Sequence, residues 1–446
     1  MNKMKLFTSK KMLLVIAVLL TMPAAKAQDT LRINLNQALE IAMSESPTVK
    51  VADKEIQKKK YAKKETVAQL FPTLDANGSW SHSIKKMSFA MQGQVFEAGS
   101  KNSWQGGFNL ALPVFAPALY KSIQLNNKDV ELALESARSS RLDLVNQVTK
   151  AYYQLLLAQD SYDVLLKSYK QAQATLDVTT SKFNQGVVSE YDKIRAEVQV
   201  YNLKPGVISA ENAINLTRMQ LQVLMGLDVD QPVAVEGNLS DYEKDMYADV
   251  LRVDTSLVNN TDLKQMDVQR QMLQKTLKLN KTAFMPTLSF TSQLSWMSMA
   301  ENMKFKDYQW RPYATLGFTL SVPIFHGSDL FKVKQSKIDI QQVNYNFVNL
   351  RRNVTLQVRN YMDNIQKSVE QISSNKEGVM QAEKGRTIAV KRYEVGAGTI
   401  LELNDSEVAL TQAQLTYNQS IYDYLTAKAD LDKVLGKDHV TMEARQ

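Results

Sequence analysis

No cysteine occurs in the 446 residues, which excludes disulfides, thiol chemistry and a lipid carried on an N-terminal cysteine. Histidine is nearly as scarce. His82, His326 and His439 are scattered singly, a distribution that fits surface or packed residues and offers no metal-ligand spacing. Phosphate-binding glycine loops, dinucleotide glycine patterns, His-Glu-x-x-His and Gly-x-Ser-x-Gly are all missing, so no catalytic residue, cofactor or resident metal is expected. Long apolar runs are missing too. The stretch 12–22 is 11 residues, well short of the ~20 that a spanning helix needs. It follows Lys3, Lys5, Lys10 and Lys11 and precedes Ala25-Lys26-Ala27, the pattern of a signal peptide over residues 1–27. Without those residues the net charge falls from +8 to +3, 49 Lys plus Arg against 46 Asp plus Glu. The basic balance thus belongs partly to the signal, and no nucleic-acid partner is expected.

What the chain does have is an apolar seam of heptad spacing through Leu144, Val148, Ala151, Leu155, Ala158, Tyr162, Leu165, Tyr169, Ala172 and Leu176. Steps that alternate four and three let helices wrap left-handedly around partners. From about Leu119 to Phe183, roughly 65 residues at 1.5 Å make a rod on the order of 100 Å. Gly186 stops it, and a second helical run returns over 191–226, interrupted at Pro205. The unit occurs twice. A shift of 210 positions lays Lys182-Phe183-Asn184-Gln185-Gly186 on Arg392-Tyr393-Glu394-Val395-Gly396, and Gly226 and Asp228 on Gly436 and Asp438, so each half repeats one plan. The organisation expected is a signal peptide (1–27), a first repeat (28–228), an equatorial segment (229–262), a second repeat (263–438) and a short tail (439–446).

Within each repeat a helix comes first, over 35–70 and again over 262–284, closed by Phe71-Pro72 and Met285-Pro286. The period then switches from 3.6 to 2. Leu74, Ala76, Gly78 and Trp80 alternate with Asp75, Asn77 and Ser79; after a loop through Met91 and Gly99, Trp104, Phe108 and Leu110 alternate with Ser103, Gln105 and Asn109. The second repeat matches with Phe290, Leu294 and Trp296, then Leu316, Phe318 and Leu320. Strands are expected at about 73–84, 103–115, 287–298 and 309–322. Their length and apolar-out, polar-in dyad fit an outer-membrane barrel, and Trp80, Trp104, Trp296 and Trp310 would form an aromatic girdle at one level. A half-buried sheet in a soluble, secreted coiled-coil scaffold shares the alternation. Four strands cannot close in hydrocarbon, so a barrel would be shared between two, three or four copies.

The duplicated turns, followed by Leu401-Glu402-Leu403-Asn404-Asp405, resemble those of TolC-type outer-membrane efflux proteins over essentially the whole chain after residue 27. The resemblance implies an α+β membrane protein: a homotrimer with a 12-stranded outer-membrane β-barrel continued by a periplasmic α-helical coiled-coil barrel. It implies a passive exit duct of a tripartite efflux or type I secretion system. Its partners would be a periplasmic adaptor, an inner-membrane pump of RND, ABC or MFS type, and outer-membrane lipid. By the same resemblance the turns at Gly186, Val187, Gly396 and Ala397 contact the adaptor, and Glu402 and Asp405, with Asp192, Tyr191 and Tyr393, form a periplasmic gate. Tyr393 is expected to bond to Asp192 or Tyr191 across the tip. A copper or silver duct of the same fold is an alternative, because Met87, Met91, Met297, Met299 and Met303 gather near the strand ends and thioethers suit soft ions. Mobile apolar loop tips also use methionine.

Overall fold

The computed structural model describes residues 31–91, 93–243, 246 and 256–437. The signal-peptide stretch, part of the equatorial segment and the tail after residue 437 lie outside the described residues. In chain order the elements are β1 (Leu31–Ile33), α1 (Leu35–Glu45), α2 (Pro47–Ala68), β2 (Thr73–His82), β3 (Met87–Met91), β4 (Gln94–Ala98), β5 (Asn102–Phe115), α3 (Pro117–Asn184) and α4 (Glu190–Met225). They continue with β6 (Val233–Val235), α5 (Thr261–Asn280), β7 (Thr287–Ala300), β8 (Arg311–Ser321), α6 (Gly327–Glu394) and α7 (Ile400–Leu435).

The repeat is visible as equal lengths. α3 and α6 are 68 residues each, α4 and α7 are 36 residues each, and at 1.5 Å per residue the longer pair are rods of about 100 Å. In their lower halves α3 packs on α4 and α7, and α6 on α7; in their upper halves α3 packs on α2 and α5, and α5 on α6. The short helices thus continue the line of the returning ones. The joints are glycines. Gly226 ends α4 at φ +77 with its Cα against Glu45 and Ser46, and Gly436 ends α7 at φ +68 against the Asn259 carbonyl. Only a residue without Cβ fits either place, both for the left-handed conformation and for the close approach. The second joint is fastened further: Asn260 Nδ2 donates to Val434 O at 2.7 Å, and Arg138 donates to Asn259 O.

Three sequence expectations need correction. The helix expected over 35–70 is two helices, because Pro47 cannot donate to the ladder and holds Ser46 in an extended conformation, ψ 127. The interruption at Pro205 is not there. α4 runs unbroken through it; Pro205 and Tyr201 are exposed, so the carbonyl that loses its partner faces solvent. The loop expected between the first two strands contains a hairpin, in which β3 pairs with β4 and the Phe89 and Phe96 rings stack at 6.1 Å.

The main core lies where the rods meet the equatorial segment. β1 pairs in parallel with β6, a contact too short to announce itself by period, and Tyr152, Leu155, Leu156, Leu221, Leu239, Ile421 and Leu431 are among the fully buried residues there. Tyr152 donates to Glu236 O at 2.8 Å, and Leu239 N donates to Asp160 at 3.0 Å. Burial pushes the Tyr152 and Tyr153 hydroxyls well above the usual phenol range and raises the Asp160 carboxyl, against the opposing pull of the Leu239 N–H.

Candidate functional site: the strand face and the hairpin ends

β2, β5, β7 and β8 form one antiparallel sheet in that order. The register fixes which side chains share a face. Trp80 lies opposite Trp104 and Leu74 opposite Leu110; Trp104 lies opposite Ser298, Gly106 opposite Trp296 and Leu112 opposite Phe290; Phe290 lies opposite Phe318 and Ser292 opposite Leu316. One face therefore carries Leu74, Trp80, Trp104, Phe108, Leu110, Phe290, Leu294, Trp296, Leu316, Phe318 and Leu320. The other carries Asp75, Asn77, Gln105, Asn109, Thr291, Gln293, Tyr313, Thr315 and Thr319, joined by bonds such as Gln105 Nε2 to Tyr313 Oη at 2.9 Å and Asn109 Nδ2 to Asn77 Oδ1 at 3.0 Å. On the apolar face Leu316 and Phe318 are 75% and 69% exposed. Tyr308 packs on Trp104 at one end of this face, while Leu74, Phe108 and Leu320 stay exposed like Leu316 and Phe318.

The Trp80 and Trp104 rings lie 5.8 Å apart, tilted by 35°, and Trp296 meets Phe108 edge-on at 6.3 Å, one two-residue step along the sheet. Trp310 sits just before β8, one residue outside the strand expected to hold it. The opposite ends carry a second aromatic band that the sequence reading missed: Phe71, Phe115, Phe284 and Phe325, all exposed. Its signal was there, since each stands within four residues of a strand end. From Phe71 to Trp80 is nine residues, roughly 30 Å along a strand and about 23 Å vertically at a tilt near 40°. That is the height of an outer-membrane apolar band. Among the described residues the outer edges of β2 and β8 pair with no other strand, and free edges are not stable in hydrocarbon.

At the far ends of the rods the two hairpin turns have one geometry. Gly186 and Gly396 take φ +73 and +75, Val187 N donates to Lys182 O at 2.9 Å, and Ala397 N donates to Arg392 O at 2.8 Å, the paired bonds of a Schellman end. Val187, Val395 and Ala397 are exposed. Each returning helix is capped, α4 by Ser189 with Asp192 in a reciprocal box and α7 by Thr399 accepting from Glu402 N.

The expected link from Tyr393 to Asp192 or Tyr191 is absent. Asp192 bonds to Ser189 Oγ at 2.8 Å, and Tyr191 Oη accepts from Arg195 at 2.7 Å. Tyr393, buried with Ile400 and Leu403, instead places its hydroxyl 2.8 Å from Thr179 Oγ1 on α3. The reason is directional. Long helical side chains lean towards their own N-terminus, and Thr179 sits one turn back from Phe183, the repeat-mate of Tyr393. Lys182 adds a bond to Tyr393 O at 3.2 Å and lies 4.6 Å from its ring centre. Two turns before Tyr393 on α6, Arg386 pairs with the buried Glu407 of α7 at 2.6 Å, so the second hairpin carries its own internal ion pair. Glu402 and Asp405 are exposed on the opposite face of α7 from Ile400 and Leu403. Glu402 stands 3.6 Å from Arg392, whereas Asp405 projects freely.

Among the described residues no cluster of histidine or carboxylate side chains could hold a metal, and no helix is long and apolar enough to cross a membrane. Of the methionines, Met87 and Met91 are on β3, in a different sheet from Met297 and Met299 on β7.

A largely exposed apolar strand face, banded by aromatics at both ends and continued by helical rods of about 100 Å, has the form of an outer-membrane channel protein with a helical extension. The profile described as outer membrane efflux protein matches residues 38–227 and 253–437, and the chain belongs to that family. Family membership replaces the soluble-scaffold alternative. The chain is similar to the outer membrane protein TolC of Escherichia coli K12, 22% identical over 365 residues, 76% of this chain and 70% of that one. It is equally similar to the alkaline protease secretion protein AprF of Pseudomonas aeruginosa, 22% identical over 420 residues, 91% and 84%. Its fold is that of the CmeC outer membrane channel of Campylobacter jejuni, with a TM-score of 0.72 at 16% identity, covering 92% and 88% of the two chains.

Proposed function

We propose that the chain is one of three identical subunits of a passive exit duct, in which twelve strands close one barrel in the outer membrane and the helical hairpins line a tunnel through the periplasm. The observation that carries this reading is the segregation of the four paired strands into an apolar and a polar face between two open edges. In the sheet the strand directions alternate, so β8 of one copy meets β2 of the next antiparallel, and three copies give an even count of twelve. Export needs an external energy source. A periplasmic adaptor and an inner-membrane pump of RND, ABC or MFS type would supply it, with the turns at Gly186, Val187, Gly396 and Ala397 as the docking points. Cysteines placed at Gln185 and Val395, in a chain that has no others, should crosslink to a co-expressed adaptor; labelling of the same cysteines from outside intact cells would put the tips on the wrong side.

At the tunnel mouth Glu402 and Asp405 would each recur three times around the axis, and rings of like charge favour cations and attract divalent ions. Arg392 partly offsets Glu402, so Asp405 is the stronger member. In planar bilayers Glu402→Gln with Asp405→Asn should reduce cation selectivity and divalent block. Tyr393→Phe and Thr179→Val should each raise resting conductance, and together no more than either alone, because both delete one bond. Unchanged selectivity in the carboxylate double variant would place the constriction elsewhere.

A further inference from the structure

Lysine is concentrated at one level of the molecule. The 15 residues that adjoin each strand end on the helical side, 58–72, 116–130, 272–286 and 322–336, together hold twelve lysines and three acidic residues, a net +9. Residues 28–446 as a whole carry only +3, so the rest of the chain is net acidic. The last three turns of α2 carry Lys58, Lys59, Lys60, Lys63 and Lys64, and the end of α5 and the turn after it carry Lys275, Lys278 and Lys281.

Cations at helix C-termini have an ordinary use, since they offset the helix dipole, and that accounts for part of α2 and α5. It does not account for Lys121, Lys332 and Lys334, which stand near the N-terminal ends of α3 and α6. Nor are the charges internally matched. Lys332 pairs with Asp329 at 3.0 Å and Lys58 with Glu55 at 3.3 Å, but among the described residues no carboxylate pairs with Lys60, Lys63, Lys64, Lys278 or Lys281. Lys60, Lys64, Lys278 and Lys281 are exposed. Unmatched like charges at one level repel one another, and an external anion removes that cost.

The position selects the anion. Lys281 lies six residues before β7, at most about 20 Å of chain, and the band of Phe71, Phe115, Phe284 and Phe325 falls between these lysines and the apolar strand face. A basic collar directly outside an aromatic interface band is at the depth of lipid headgroups.

We propose that this collar binds the phosphate groups of anionic phospholipids in the periplasmic leaflet of the outer membrane. The proposal rests on the barrel reading above, and it gives the duct a lipid preference on its inner side that its strands alone do not supply. Binding of this kind needs no pocket, only charge within a Debye length of the surface, about 8 Å at physiological salt.

The test uses the full-length oligomer reconstituted in phosphatidylcholine vesicles with trace spin-labelled phosphatidylglycerol or spin-labelled phosphatidylcholine, and reads the motionally restricted lipid fraction. The wild type should favour the anionic probe about fivefold, the factor expected for one lysine near a charged surface. That preference should fall close to one at about 1 M salt, where the Debye length is about 3 Å; this arm needs no variant. Replacing Lys60, Lys63, Lys64, Lys278 and Lys281 by Gln should have the same effect at low salt, in an oligomer that migrates normally. Equal association of both probes with the wild type overturns the collar while leaving the barrel standing. No restricted lipid of either kind overturns the barrel reading itself. A variant that keeps its lipid preference but loses binding to isolated peptidoglycan sacculi overturns the lipid assignment in favour of the cell wall.

Discussion

Arginine at Leu316 or Phe318 should lower the membrane-assembled yield sharply, whereas arginine at Thr315 or Thr319 should leave it nearly intact. The four positions are neighbours on β8, an 11-residue strand with Leu316 at its centre, so they differ little in depth or strand propensity. They differ in face. Leu316 lies opposite Ser292 and Phe318 opposite Phe290, with ring centres 5.1 Å apart, on the side that bears the tryptophans; Thr315 and Thr319 lie opposite Gln293 and Ser289 on the polar side. A guanidinium facing lipid at the midplane costs roughly 2 to 4 kcal/mol, and one facing a water-filled lumen costs little. Heat-modifiable oligomer recovered from the outer-membrane fraction is the readout. Equal yields for the two classes would mean that the faces are reversed or that the sheet is not in lipid.

The joints between stacked helices should be as sensitive. Gly436→Ala and Gly226→Ala should each reduce stability by about 3 kcal/mol or more, because the left-handed conformation penalises a Cβ by roughly 1 to 2 kcal/mol and the new atom would also meet backbone. A Cβ at Gly436 would fall 2.1 Å from Asn259 O, and one at Gly226 2.8 Å from Glu45 O. Gly186 and Gly396 supply the control: they share the conformation, but a Cβ there would have nothing within 4 Å. Their alanine variants should lose only the conformational part, about 1 kcal/mol. Melting of the purified oligomer distinguishes the two pairs. Similar losses at all four glycines would mean that the joint contacts contribute nothing.

The long features were legible because each has a period that no compact domain sustains. Heptad steps over many turns gave rods, and strict alternation gave the two sheet faces that the pairing register displays. Features that depend on tertiary approach were not legible. Gly226 and Gly436 read as helix stops, which they are, but nothing local says that a second helix abuts them. Tyr393 has a polar tip in need of a partner, yet only the packing of α6 on α3 makes that partner Thr179. Two misreadings had local causes. The Ser46-Pro47 step carries a restriction that outweighs the helical pattern around it, while Pro205 lies on a solvent face where a lost hydrogen bond is tolerated. The hairpin of β3 and β4 has a local signal in the alternation of Met87, Phe89 and Met91 with Ser88 and Ala90 before Gly93, which takes φ +81.

A closed duct requires that the two sheet edges be completed by other copies of the chain. In this cysteine-free chain, single cysteines on β2 at Asp75 or Asn77 and on β8 at Thr315 or Thr319 can be joined by a short thiol-specific crosslinker in intact outer membranes. A barrel shared by three copies predicts that every such link is between chains and that the covalent ladder runs from monomer through dimer to trimer and stops. Links formed within one chain, a ladder that ends at two or at four, or crosslinking that vanishes in the membrane fraction would contradict it.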